Sequence, residues 1–186
     1  MPVDAFLDSG KSPMGVVFHV DETSIHGLAV ALTETSKVFS TASPYLILST
    51  SYFTLASAVR DSDGEANTLH LKSTDDAYSG LDFASDVTAG SYCYYFNHRL
   101  LAPDGLHHGW FLPSAAELNL LQGSAWEVKQ SINRICQTDN TYKNFSSSRY
   151  WSSTFRSGSQ VWTFSNTEWS GQAFSNLCGV RPVTKF

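Results

Sequence analysis

Between Gly109 and Phe186 every helix signal precedes every strand signal, and that order restricts the fold more than any other feature of the chain. Ser114-x-x-Glu117 and Ser124-x-x-Glu127 read as two capping boxes, in which the serine oxygen accepts one free backbone N–H while the glutamate reaches back for another. Val128, Ile132 and Ile135 then recur at helical spacing. After Thr138 the chain turns polar and enters three β-rich pieces, 150–154, 161–165 and 180–186. Helices followed by consecutive strands exclude alternating βαβ units and predict an α+β domain with segregated helices.

Upstream, residues 14–32 predict a hairpin with two central arms, Met14 to Val20 and Gly27 to Leu32, joined by turn chemistry at Asp21 to Ser24. Residues 36–57 show no clear period and read as a loop with one short strand near Leu46 to Leu48. Asp61-Ser62-Asp63-Gly64-Glu65 and Asp75-Asp76 read as exposed turns. From Asp86 to Arg99, Ala89, Cys93, Phe96 and Leu100 fall three or four apart, so a helix capped by Asp86 is expected.

The 186 residues, 42% hydrophobic, suffice for one good core, and a single domain is expected, with residues 1–13 as an extension. A net charge of -5 argues against a phosphate-reading surface, because affinity for nucleic acid comes mostly from Lys and Arg neutralising phosphates. No apolar run reaches the roughly 20 residues of a membrane span. Met1-Pro2-Val3-Asp4 lacks a basic segment followed by an apolar one, so no signal peptide is expected within this chain. Cys93, Cys136 and Cys178 are an odd number without a close pairing motif, expected as small fillers or free thiols.

Several blocks taken together resemble a known family. They are Gly15 to Val20, His26 to Leu32, Tyr92-Cys93, Trp110 to Ser114 with Glu117 to Leu121, Tyr150-Trp151-Ser152-Ser153-Thr154, Trp162, and Val180-Arg181-Pro182-Val183. In that order and spacing they resemble a bacterial, Bacteroides-like surface-domain family on the C-type lectin fold, similar to formylglycine-generating enzymes and to the variable proteins of diversity-generating retroelements. The resemblance implies a C-type lectin-like fold closed by pairing of the first and last strands. It also implies framework roles for Trp110, Leu112, Pro113, Trp151, Trp162, Arg181 and Pro182.

Function then falls on the stretch between framework blocks, Phe155 to Gly179, within a binding and variable region spanning 149–183. Its mixture of aromatic, small and polar side chains is that of a paratope, where aromatic anchors supply contact area and Ser, Gly and Asn supply adaptable hydrogen bonds. In retroelement-diversified relatives, Asn codons ending in a pyrimidine can mutate to many residues but never to Gln, Glu, Lys, Met or Trp. Phe155, Arg156, Ser157, Ser159, Thr163, Ser165, Asn166, Phe174, Asn176, Leu177 and Cys178 are compatible with that origin. Glu168 and Trp169 are not, but join them as ligand-binding candidates, Trp169 because an exposed turn tryptophan would anchor a partner or stack on a sugar.

The expected function is therefore a ligand-binding display domain, an adhesin or receptor-binding module of a bacterial cell surface, pilus or phage virion, with an unknown protein or glycan as ligand. No catalytic residue, metal or cofactor is expected. Only Cys178 of the three cysteines lies in the ligand-facing segment, which departs from the cysteine pair of formylglycine-generating enzymes. His107-His108 reads as loop surface, and Asp61, Asp63 and Glu65 lack the spacing of a calcium loop. The alternative is a structural or assembly module whose aromatic tail packs against another subunit.

Overall fold

The computed structural model describes residues 13–41, 50–78, 87–96, 109–165 and 167–186. Its elements run β1 (Gly15–Val20), β2 (Gly27–Ala31), β3 (Thr35–Lys37), α1 (Leu55–Ala58), α2 (Gly64–Tyr78), α3 (Ala89–Tyr94), β4 (Trp110–Phe111), α4 (Ala115–Gly123), α5 (Ala125–Cys136), β5 (Arg149–Ser157), β6 (Gln160–Ser165), β7 (Trp169–Ala173), β8 (Cys178–Val180) and β9 (Val183–Lys185). One sheet has the order β1-β2-β9-β4 and the other β3-β8-β5-β6-β7. Helix and sheet are thus mixed in one domain, with the consecutive helices α4 and α5 leading into the strands β5 to β9 as their signals indicate. The expected strand near Leu46 to Leu48, the Asp86 cap and His107-His108 lie outside the described residues.

The N-terminal hairpin forms as expected, with a bulge between Val17 and His19. Only β2 is central. It is flanked by β1 and β9, and Val30 pairs with Val183. The last strand therefore pairs with β2 and β4 rather than with β1, which corrects the expectation that the first and last strands close the domain. The physical reason lies in burial: β2 reads Leu28, Ala29, Val30, Ala31 and is buried along its length, whereas β1 exposes Val17 and Val20.

Two cores result. Phe18, Leu28, Val30, Phe111 and Val183 of the first sheet meet Leu118, Leu121, Val128, Ile132 and Ile135 of α4 and α5. Phe39, Trp151, Phe155 and Phe174 pack under the second sheet, with Phe39 at 5.4 Å from each of the other three rings. The framework residues Trp110, Leu112, Trp151, Trp162 and Arg181 are all buried.

The two serine boxes behave differently. At α4, Ser114 N donates to Glu117 Oε2 at 2.7 Å and Glu117 N donates to Ser114 Oγ at 3.3 Å, a complete capping box. Ser124 caps no N–H of α5, and its hydroxyl donates to Phe18 O at 3.0 Å instead. Ser124 is at once the C-cap of α4 and the N-cap of α5, so its φ of -109° and ψ of 15° are not the extended geometry a serine N-cap needs.

The acidic run at residues 61–65 leads into a long helix, α2, which begins at Gly64, and only part of the run is exposed. Asp63 Oδ1 accepts Ala66 N at 3.1 Å, and Asp61 is buried, its Oδ2 accepting Thr154 Oγ1 at 2.7 Å. Helix α2 carries no apolar stripe, since its buried face includes Thr68 and Thr74 beside Leu71. Both hydroxyls donate back to helix carbonyls, Gly64 O and His70 O, each at 2.8 Å. Asp75 and Asp76 likewise belong to α2. Helix α3 is shorter than expected and is capped by Thr88, whose box partner is Ser91.

At the junction of the sheets, Arg181 and Glu34 form a buried ion pair at 3.0 Å, with side chains 0% and 4% exposed. Arg181 also donates to Ala31 O and Lys143 O and stacks on Phe145. Glu34 accepts from Ser146, Ser147 and the Tyr150 hydroxyl. Burial works to raise the Glu34 carboxyl, but the hydrogen bonds of Ser146 and Tyr150 and the Arg181 charge outweigh it, and the group sits below its ordinary value. A depressed carboxyl stabilises the fold fully above the unfolded value of 4.5, and that contribution is lost as pH falls through the folded value. Glu34→Gln, which leaves a buried guanidinium unpaired, is expected to cost about 3–5 kcal/mol in urea unfolding at pH 7. The gap to wild type should narrow at pH 3.5, and an equal gap at both pH values would contradict this role.

Glu117 presents the opposite case. It is 2% exposed, its Oε1 has no partner among the described residues, and a Cβ built on Gly64 would lie 2.4 Å from its Oε2, so a glycine is required where α2 meets this cap. Burial, partly offset by the Ser114 hydrogen bonds, pushes its carboxyl up to about 7. A raised carboxyl binds its proton more tightly in the folded state, so this group's contribution to stability falls as pH rises from 4.5 to about 7. Glu117→Gln is expected to remove that slope and to melt above wild type at pH 8, which thermal unfolding at pH 5 and pH 8 would check.

Candidate functional site

Strands β5, β6 and β7 carry the expected binding region, and their antiparallel register decides which of its residues can act together. Gln160 pairs with Ala173 and Phe164 with Trp169. The β5–β6 turn at 157–160 and the β7–β8 turn at 173–177 therefore share one end of the sheet, while the β6–β7 turn occupies the other. The candidates do not form one face.

At the first end, Arg156 crosses β7. Its guanidinium carbon lies 5.1 Å from the Trp162 ring centre, and it donates to Gln160 Oε1 at 3.2 Å. A Cβ on Gly171 would meet Arg156 Cδ at 2.5 Å, so this crossing depends on the glycine. Ser157 and Ser159 form the adjacent turn, Ser159 N reaching Ser157 Oγ at 3.4 Å. Across from them Asn176 donates to Gln172 Oε1 at 2.8 Å, and Leu177 stands 72% exposed.

At the other end, Ser165 and Glu168 close a tight turn through Ser165 N to Glu168 O at 2.9 Å and Glu168 N to Ser165 Oγ at 3.1 Å. Arg149 pairs with Glu168 at 3.2 Å and donates to Ser170 Oγ, an exposed contact of at most about 1 kcal/mol. Trp169 is half-buried and packs on Phe164 with ring centres 5.0 Å apart, so it is a rim residue and not a free anchor.

Four candidates are corrected by burial. Phe155, Phe174 and Cys178 belong to the aromatic core, and Thr163 is fully buried in the sheet with its hydroxyl donating to Ser170 O at 3.0 Å. A ligand could reach them only by opening the sheet. Asn166 lies outside the described residues. None of the three cysteines is in a disulfide, and burial, partly offset by Arg149, pushes the Cys178 thiol up to about 11, so it is protonated at neutral pH.

The sequence reading missed Arg149, Gln160, Ser170 and Gln172, which supply polar groups at the two ends. The signal for the last two was a period-two pattern across Trp169-Ser170-Gly171-Gln172, hidden because Ser and Gly are weak strand formers. It also missed Trp126 on α5, the most exposed tryptophan among the described residues at 70%. Asp63 and Glu65, weighed as calcium ligands, instead face Lys185 Nζ at 3.4 and 3.5 Å.

No known family model matches the chain, and no curated protein matches it. Among solved structures it is similar to a fimbrial protein from Bacteroides ovatus ATCC 8483, with 20% sequence identity and a TM-score of 0.57. The match covers 86% of this chain and 36% of that one, so this chain spans about a third of the length of the fimbrial protein. At this identity the likeness concerns the fold.

The placement of Phe174 under the sheet and Leu177 outside it gives a sharp contrast. Phe174→Ala should cost about 3–5 kcal/mol and Leu177→Ala less than about 0.5 kcal/mol in chemical unfolding. Similar costs for the two would show that the β7–β8 turn is placed wrongly.

Proposed function

We propose that this chain is a ligand-binding display domain of a bacterial surface structure, built on the C-type lectin fold and without catalytic activity. The observation that carries the proposal is the division of labour in β5 to β8: the large rings Phe155, Trp162 and Phe174 are buried, while Arg156, Ser157, Ser159, Gln160, Gln172, Asn176 and Leu177 gather at one end, on two turns and the strand ends beside them. Side chains on turns held by a rigid sheet can change identity without disturbing the core, which is the requirement for a binding surface with adaptable specificity. The early hairpin lying beside the last strand, and two helices ahead of a Trp-Ser-Ser strand, support the C-type lectin reading. The likeness to a fimbrial protein supports a surface location and assembly into a larger structure.

Diversification by a retroelement belongs to the same proposal. Its genomic signature would be a near-identical repeat with adenines opposite codons 157, 159, 176 and 177, and a neighbouring reverse transcriptase gene. The competing reading is an assembly module, favoured by β7 lying at the edge of its sheet and by the exposed Trp126. A library randomised at Ser157, Ser159, Asn176 and Leu177 separates the two. For a display domain, most members should fold, with melting temperatures near that of the parent, and binders to an unrelated protein should be selectable. A library in which most members unfold, or from which no binder emerges, would refute the display function.

A further inference from the structure

Beside this sheet end lies a cleft of about 350 Å³ that the tail residues do not form, except for Phe155. The chain just before α2 contributes Asp61, α2 itself Asn67 and His70, strand β5 Ser153, and the chain before α1 Tyr52. Its volume lies in the range of small-molecule pockets.

The polar groups in it are organised but only half used. Asn67 Nδ2 donates to Asp61 Oδ2 at 2.9 Å and to Ser153 Oγ at 3.2 Å, and Thr154 Oγ1 donates to the same Asp61 oxygen at 2.7 Å. These bonds hold both side chains in one orientation. Asp61 Oδ1 and Asn67 Oδ1 accept from none of the described residues, although Asp61 is only 8% exposed. The Tyr52 carbonyl accepts Trp162 Nε1 at 2.7 Å, which anchors the residue while its hydroxyl makes no bond within the described residues. Burial and the neighbouring Asp61 charge raise the Tyr52 phenol, so it remains a donor at neutral pH.

We infer that this cleft binds a neutral polyhydroxylated ligand, a pyranose unit of a glycan, with Asp61 Oδ1 and Asn67 Oδ1 accepting from adjacent ring hydroxyls and the Tyr52 hydroxyl donating to a third oxygen. Fixed acceptors beside an aromatic ring suit an alcohol-rich ring, whose hydroxyls both donate and accept. The single carboxylate, with no Lys or Arg among the described lining residues, disfavours phosphate, sulfate and carboxylate ligands. The apolar alternative is disfavoured because it would bury Asp61 Oδ1 without a partner. The inference does not depend on the variability of the tail, since Phe155 is buried and the remaining lining residues lie outside 157–177.

The test is a titration of the ¹⁵N-labelled full chain with the methyl glycosides of mannose, galactose, glucose, fucose and N-acetylglucosamine, up to about 20 mM, a range suited to weak single-sugar affinities. At least one glycoside is expected to shift the Asn67 side-chain amide. Tyr52→Phe, which removes only a hydroxyl that makes no bond among the described residues, should weaken that glycoside at least tenfold with Tm unchanged, and Asp61→Asn should weaken it at least as much. The inference is overturned if no glycoside moves the Asn67 amide, if Tyr52→Phe binds as wild type does, or if methylammonium or inorganic phosphate produces the shift instead. The library result above bears on the tail alone, so either proposal can fail without the other.

Discussion

The Arg181–Glu34 pair is the interaction on which the remaining architecture depends. It sits where the two sheets part company, between β2 and β3 on one side and between β8 and β9 on the other. Through the same two side chains it reaches the carbonyls of Ala31 and Lys143 and the turn at Ser146 and Ser147. A buried charge pair is a poor source of net stability, because desolvation of both ions offsets most of their attraction. Its contribution is positional. Three separate stretches of chain, residues 31–34, residues 143–150 and Arg181, must arrive together for both ions to be satisfied.

With that junction set, the second sheet extends away from it through its far strands. β5 and β8 run parallel at Tyr150 and Gly179, and β6 and β7 follow outward as antiparallel additions. Core rings fill one side from Phe39 to Phe174, so the outer turns bear little packing responsibility. The polar cleft arises from the same geometry, because α2 starts against β5 with Asp61 bonded to Thr154 and with Asn67 bonded to Ser153.

Legibility in the sequence followed the strength of local signals. The Ser114 box, the stripe Val128, Ile132, Ile135 and the N-terminal hairpin were readable because each rests on residues close in sequence. Helix α2 was not, because a threonine-faced helix satisfies its hydroxyls internally and shows no hydrophobic period. Strand β7 was masked by Ser and Gly. Phe155, Thr163, Phe174 and Cys178 were assigned to the surface since composition alone cannot distinguish a ring that anchors a ligand from one that anchors a sheet.

By itself the sequence determined the mixture of helix and sheet, the order of helices before strands in the last third and the tryptophans that turn out to be buried. Only the tertiary structure decided the sheet order, the partner of Arg181, the inward turn of half the tail and the meeting of Asp61 with Asn67 and Tyr52. The physical reason is separation along the chain: capping and periodicity act over three or four residues, whereas Glu34 meets Arg181 across 147 residues and Asp61 meets Thr154 across 93. Contacts of that range are set by which surfaces must leave water together, and a single sequence does not display that pairing.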